Sequence, residues 1–142
     1  MNIANAFRVE VPIRFSNCDP AGIVYFPEFF DMINSLVEDW FTIGMDTSSA
    51  DLMMRQHIGT PTIDIQCEFI KPCRYGERLT LELAVTKLGR TSFHLTETGT
   101  VAGELRWRTR HVLCFLSTET YRPVAIPEGL REKMARFMQH RP

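Results

Sequence analysis

The strongest constraint in this chain is a change of hydrophobic period at Pro27. From there to Gly44 the apolar residues recur every three or four positions: Phe26, Phe30, Ile33, Val37 and Trp40, joined by Phe29, Leu36 and Phe41. That spacing predicts a helix. Pro27 suits its first turn, Glu28 and Asp31 complement its positive end, and Gly44 terminates it. The segment carries no Lys or Arg and is apolar around most of its girth. Such a rod is expected to be buried on most sides, not along one stripe.

Most of the remaining chain has a period of two. Phe7 to Phe15 alternates apolar and polar residues, which predicts a strand with one buried face, and Pro12 within it belongs at a sheet edge. Ser48 to His57, ending at Gly59, reads as a short second helix. Ile63, Ile65, Cys67 and Phe69 then alternate with Thr62, Asp64, Gln66 and Glu68. Leu79, Leu81, Leu83 and Val85 repeat the pattern, followed by strands over Ser92 to Thr98 and Leu105 to Leu116. These four strands read as hairpin-like neighbours. A last helix is expected over Glu128 to Gln139, with Leu130, Met134, Phe137 and Met138 on one side. Strands in succession, with helical mass kept apart from them, indicate the α+β class. An antiparallel sheet curved around the long central helix is the arrangement that buries the rod. At 142 residues the chain is expected to form a single domain over residues 1–142.

Charge and composition exclude several function classes. Sixteen basic and seventeen acidic residues leave a net charge of -1, against a nucleic-acid binder. Thirteen of the sixteen bases are Arg; GC-rich coding alone accounts for most of that bias. No apolar run reaches the length of a membrane span and the first residues lack a signal-peptide pattern, so a cytoplasmic location is expected. Cys18, Cys67, Cys73 and Cys114 form no C-x-x-C pair and have no histidine at zinc-ligand spacing, so free thiols and no metal are expected.

The chemistry-bearing stretch is Cys18-Asp19-Pro20-Ala21-Gly22-Ile23-Val24-Tyr25-Phe26-Pro27. It resembles the hotdog-fold acyl-CoA thioesterases, and most closely the 4-hydroxybenzoyl-CoA thioesterase family. Ile58-Gly59-Thr60-Pro61, Gly89-Arg90-Thr91-Ser92-Phe93 and Pro123-Val124-Ala125-Ile126-Pro127 extend the resemblance over roughly residues 8 to 137. It implies the hotdog fold, in which a curved antiparallel sheet wraps a long helix. It further implies that Asp19 is the essential carboxylate, that the backbone amide of Phe26 polarises the thioester carbonyl, and that Tyr25 and Phe26 line the acyl pocket. Thr60, Arg90, Thr91 and Ser92 are the matching substrate-binding positions. Gly89 stands where a second basic residue is found in the family, so the nucleotide grip is displaced here. A sister branch has histidine at the position of Phe26, and its absence favours the aromatic-acyl branch. CoA enters as part of the substrate, with no separate cofactor, and the family pattern suggests a homodimer or homotetramer with sites at the interface.

Elementary chemistry agrees with that assignment. Thioester hydrolysis needs a nucleophile or base near the carbonyl carbon and hydrogen-bond donors near its oxygen. A helix N-terminus supplies donors because its first N–H groups have no partner within the helix. Asp19 lies eight residues before Pro27, within reach of that helix end if the loop folds back through Gly22. It either attacks directly or activates water, and the absence of a histidine in the motif favours attack. Glu38 and Asp39, mid-helix in an apolar stretch, are reserve carboxylates. Arg106, Arg108 and Arg110 alternate along one strand and read as a solvated face. His57, His94, His111 and His140 stand outside any motif and read as structural or surface residues. The alternatives are a thioesterase for aliphatic acyl-CoA or acyl-carrier protein, and a non-catalytic acyl-CoA-binding module.

Overall fold

The computed structural model describes residues 5–139; His140 lies outside them. Strand β1 (Phe7–Pro12) leads through a 3-10 turn at Phe15–Asn17 to helix α1 (Pro27–Asp39), which a π-helical turn continues over Trp40–Gly44. Helix α2 (Ser49–Met54), a two-residue strand β2 (Ile58–Gly59) and strand β3 (Thr62–Phe69) follow. Strands β4 (Arg78–Leu88), β5 (Ser92–Val101) and β6 (Glu104–Cys114), the short β7 (Leu116–Ser117) and helix α3 (Glu128–Ala135) complete the order. Among the described residues no helix is long and apolar enough to cross a membrane.

Five strands form one antiparallel sheet in the order β1-β4-β5-β6-β3. The expected hairpins β4–β5 and β5–β6 are present. The second turns through Ala102 and Gly103, both at positive φ (+48° and +80°), the geometry that matches strand twist in a two-residue hairpin. Strand β3 departs from the neighbour pattern: it lies beside β6 on the far edge, with β4, β5 and β6 between it and β1. Pro12 does sit on an edge strand, paired only with Arg78 of β4. The strand expected to run on to Leu116 ends at Cys114, and Leu116 and Ser117 pair instead with Ile58 and Gly59 in a separate two-stranded ribbon.

The inward side chains of β4, β5 and β6 form a floor of Leu79, Leu81, Leu83, Val85, Phe93, Leu95 and Trp107, each at most 2% exposed. Helix α1 lies on it through Phe29, Ile33, Leu36 and Val37, and the π-helical turn through Trp40 and Phe41. Phe29 stacks at 5.6 Å on Trp107, and Trp40 and Phe41 lie 6.2 and 6.4 Å from Phe93. The rod is thus buried along one stripe and not all round. Asp31, Asn34, Ser35 and Glu38 form an exposed opposite face, so Glu38 is no buried charge. Asn34 and Ser35 are the polar positions that make this stripe finite.

Local chemistry sets the other boundaries. Ser48 caps α2 by accepting the N–H of Asp51 at 3.0 Å, as a serine preceding a helix does. Helix α3 stops at Ala135, short of the expected Gln139, because the chain then joins the sheet: Val85 donates to Phe137 and Gln139 donates to Val85, both at 2.8 Å. Gly99 is required for space, since a Cβ there would overlap the indole of Trp107. Gly99→Ala is therefore expected to destabilise the protein by about 1–3 kcal/mol, the usual cost of overpacking. Urea unfolding followed by tryptophan fluorescence checks this, and an unchanged midpoint would refute the packing constraint.

Candidate active site

The Asp19 loop is a small closed hairpin. Asp19 N–H donates to Ile23 at 2.9 Å, Gly22 N–H returns to Asp19 at 3.0 Å, and Ala21 N–H donates to Asp19 Oδ1 at 2.9 Å. Gly22 turns it at φ +77°, a conformation glycine adopts without steric cost. The loop does fold back onto the start of α1. Tyr25 N–H donates to the Asn17 carbonyl at 2.9 Å, and Asn17 Nδ2 donates to Glu28 Oε1 at 3.2 Å. Asp19 is partly exposed, with one carboxylate oxygen engaged by its own loop. The amide of Glu28 donates to Tyr25 and that of Phe29 to Phe26, whereas the N–H of Phe26 has no hydrogen-bond acceptor among the described residues.

An apolar cavity of about 310 Å³ opens beside this helix end, walled by Ile23, Val24, Phe26, Phe29, Phe69 and Ile70. Asp19 and Tyr25 do not line it, although the Tyr25 ring lies 5.7 Å from that of Phe26. Phe69, at the end of β3, is the centre of the aromatic group: Phe29, Phe26 and Phe30 surround it at 5.8, 6.2 and 6.5 Å. Its role was missed in the sequence, where it read only as the last inward residue of a strand. Tyr25, Phe26 and Phe69 are 55%, 58% and 47% exposed, a contiguous aromatic surface of the kind that marks a binding site.

The other expected site residues lie elsewhere. Thr60 lines a second cavity, of about 550 Å³, with Asp31, Asn34, Ser35 and Glu38 of α1. Arg90 and Thr91 lie in the β4–β5 turn and Ser92 opens β5, next to Phe93, which packs on the C-terminal end of the helix. The turn is fixed by Ile126 N–H on the Arg90 carbonyl at 2.9 Å and by Arg131 on the Gly89 carbonyl at 2.6 Å. A thirteen-residue helix spans roughly 20 Å, so within one chain the two groups sit at opposite ends of α1. Glu38 belongs to the second cavity, and Asp39 to a shallow pocket between α1 and β1.

The comparisons with known proteins fit this architecture. A family model described as the thioesterase-like superfamily matches residues 13–134. The chain belongs to that superfamily. It is 26% identical over 133 residues to a 4-hydroxybenzoyl-CoA thioesterase from Pseudomonas sp. (strain CBS-3), covering 88% of this chain and 94% of that one. It is 26% identical over 128 residues to a 1,4-dihydroxy-2-naphthoyl-CoA hydrolase from Rippkaea orientalis, covering 84% and 88%. Among solved structures, a 1,4-dihydroxy-2-naphthoyl-CoA thioesterase from Synechocystis superposes with a TM-score of 0.83 at 20% identity, over 92% of this chain and 96% of that one. A thioesterase-superfamily protein from Jannaschia sp. CCS1 superposes with a TM-score of 0.88 at 19% identity, over 96% of each. The fold is the hotdog fold, and the superfamily makes the protein an enzyme of the thioester-hydrolase class.

Electrostatics in this superfamily member brace the loop from behind. Val24 N–H donates to Cys73 and Tyr75 N–H donates to Gly22, at 2.8 and 2.9 Å, so the Pro72–Gly76 turn holds the Asp19 loop. Arg106 holds that turn. Its guanidinium grips both oxygens of Glu77 at 2.9 Å, the Pro72 carbonyl at 2.8 Å and Glu104 at 2.9 Å, and its side chain is only 11% exposed. Arg106 therefore leaves the solvated arginine face expected for it, while Arg108 and Arg110 remain there. The two thiols nearest the loop are shifted away from the thiolate form. Burial pushes Cys73 up to about 11, and desolvation, followed by the charge of Asp19, raises Cys18.

The Arg106 hydrogen bonds hold Glu77 below the ordinary glutamate range, against a smaller upward push from desolvation. A carboxylate depressed in the folded state stabilises the protein above its unfolded value of about 4.3, and that stability is lost as pH falls through the lowered folded value. The acid limb of Tm against pH is therefore expected to be shallower in Glu77→Gln, which has no such proton to take up. Melting curves between neutral pH and pH 3 check it, and parallel limbs would refute the brace.

Proposed function

We propose that this protein hydrolyses an aromatic acyl-CoA thioester to the free acid and CoA, with Asp19 as the essential carboxylate. The observation that carries the reading is the unpartnered Phe26 N–H at the start of α1, beside the Asp19 loop and an aromatic-walled cavity. A carbonyl oxygen received by that amide meets a main-chain donor at the positive end of a helix. Loss of such a donor typically costs about 2.7–4 kcal/mol of transition-state stabilisation. The free carboxylate oxygen of Asp19 attacks the carbonyl carbon, the C–S bond breaks, and CoA departs as the thiolate. Water then opens the mixed anhydride. General-base activation of water by Asp19 is the competing route. Water is the only co-reactant, and CoA arrives with the substrate. The aromatic relatives and the aromatic wall favour a ring-bearing acyl group over an aliphatic one.

The separated residues support assembly as a homodimer, itself open to pairing into a homotetramer. Strand β3 has β6 on one side only among the described residues and carries exposed apolar side chains, Ile63 near its start and Phe69 and Ile70 at its far end. A sheet edge of this kind is a template for pairing with another strand. Antiparallel pairing of two β3 edges about a two-fold axis sets the Phe69 end of one copy beside the Thr62 end of the other. Asp19 and Phe26 of one copy then face Thr60 and the Arg90–Ser92 turn of its partner, where Arg90 is the cation for the CoA phosphates.

Asp19→Asn is expected to lower kcat on 4-hydroxybenzoyl-CoA by at least about a hundredfold, and the wild type to prefer benzoyl-type over acetyl- to decanoyl-CoA. Single turnover in labelled water, with mass analysis of the Asp19 peptide, separates the two routes: label in the product but never in the peptide excludes direct attack. A drop of less than about tenfold would move the essential carboxylate elsewhere. For the shared site, Asp19→Asn and Arg90→Glu proteins, each expected to be inactive alone, are refolded together. Half of the dimers are then mixed, with one intact site each, and about a quarter of wild-type activity is expected to return. No recovery, with mixed dimers present by mass, would refute the shared site.

A further inference from the structure

Three polar side chains occupy the inner face of the sheet where alternation places apolar ones. Glu97 of β5 and Thr109 and His111 of β6 are each at most 3% exposed. Glu97 Oε2 lies 2.8 Å from His111 Nδ1, and Oε1 lies 3.1 Å from the same nitrogen. The Thr109 hydroxyl donates to Oε1 and accepts the N–H of Glu97 at 3.0 Å. On its far side His111 reaches outward, with Nε2 lying 2.8 Å from Thr62 Oγ1. Thr62 is the first residue of β3, beside the register shift at Ile63. It is exposed, and it lines the 550 Å³ cavity together with Thr60, Asn34 and Ser35.

The polarity of these bonds follows from the groups. A carboxylate only accepts, so Glu97 takes the Thr109 hydroxyl proton on one side and the Nδ1–H of His111 on the other. With Nδ1–H given to Glu97, Nε2 is the ring nitrogen able to accept, and it faces the Thr62 hydroxyl. A buried acid orients a buried imidazole, and the imidazole meets a hydroxyl at the wall of a cavity. This is the acid–imidazole–hydroxyl relay, which is recognised by geometry and roles whatever the chain order. The buried pair is costly for a core, because well-packed apolar residues commonly serve there as well or better. The cavity's charged lining groups are Asp31 and Glu38, with no cationic side chain. That lining suits an uncharged acyl group, with any CoA phosphates left outside it, and Asn34 and Ser35 offer neutral donors for the acyl oxygen from the α1 wall.

We propose that Thr62 is an acyl acceptor, a second reactive centre in which the Glu97–His111 pair activates the Thr62 hydroxyl toward esters and thioesters of uncharged acyl groups. The Oγ–C bond forms as the hydroxyl proton passes to Nε2. Collapse breaks the bond to the thiolate or aryloxide, which leaves with that proton. Water later opens the ester, with His111 again as base. The chemistry is independent of Asp19, so it is tested in an Asp19→Asn background.

That protein is incubated with 4-nitrophenyl acetate, and separately with benzoyl-CoA, quenched in acid, and examined by intact mass and peptic mapping. A single acyl adduct is expected on the peptide containing Thr62, with a matching burst of 4-nitrophenolate. The adduct is expected to persist in Thr62→Ser and to vanish in Thr62→Val, a near-isosteric change at an exposed position. His111→Gln is expected to slow its formation by at least about tenfold, below the usual range for a positioned base. Should His111→Gln fail to fold, the Val and Ser variants decide alone. An unmodified Thr62 peptide, or a burst undiminished in Thr62→Val or in folded His111→Gln, would overturn the proposal. Steady-state turnover of benzoyl-CoA that survives Asp19→Asn and is lost in Asp19→Asn/Thr62→Val belongs to the Thr62 centre; turnover that survives both changes would overturn the Asp19 reading, with the adduct judged by its mass.

Discussion

Everything in this molecule depends on one apolar stripe being covered. Phe29, Ile33, Leu36 and Val37 of α1 and Trp40 and Phe41 of the π-helical turn that continues it are each worth about 1.5–3 kcal/mol when removed from water, and the curved floor of β4, β5 and β6 removes them together. Aromatic contacts anchor the rod at both ends, Phe29 on Trp107 near the start and Trp40 and Phe41 on Phe93 near the finish. Because the helix cannot slide on that floor, its first turn is held at one place. The orphan amide of Phe26 and the loop hydrogen-bonded around it inherit that precision.

A second layer of polar contacts converts a fixed helix into a fixed loop. Asn17 ties the loop to Tyr25 and Glu28, the Cys73 and Gly22 carbonyls tie it to the neighbouring turn, and Arg106 grips that turn through Glu77, Glu104 and Pro72. A charge-assisted, bidentate arginine pair that is mostly shielded from solvent gives geometry as well as energy. The Asp19 loop needs such support, being short, polar and partly exposed, with little apolar surface of its own to bury.

Much of this was legible in the chain. Periods of two and of three to four located the long helix and the main strands, and the stretch from Cys18 to Pro27 pointed to a carboxylate beside a helix end. The order of strands was not legible, because alternation says which face a residue occupies and nothing about which neighbour its strand takes. Strand β3 thus crosses to β6 although it precedes β4. The all-round apolar reading of α1 overweighted its aromatics, and Asp31, Asn34, Ser35 and Glu38 already marked a polar face at helical spacing. Arg106 differs from Arg108 and Arg110 only in meeting Glu77 and Glu104, a long-range fact. Glu97 and His111 did carry a signal: each stands in the inward register of its strand, at a position where Phe93 and Leu95 or Trp107 and Leu113 set the rule.

The seam along β4 has a bearing on how the protein is made. Strand β1 covers the edge of β4 as far as Leu83, and the segment after α3 takes over at Val85. Two segments far apart in sequence therefore share one seam. A nascent polypeptide can lay the rod on its floor early, yet the backbone at Val85 stays unpaired until the segment around Phe137 has emerged. A chain cut short before Phe137 would expose that backbone to its neighbours on the polysome.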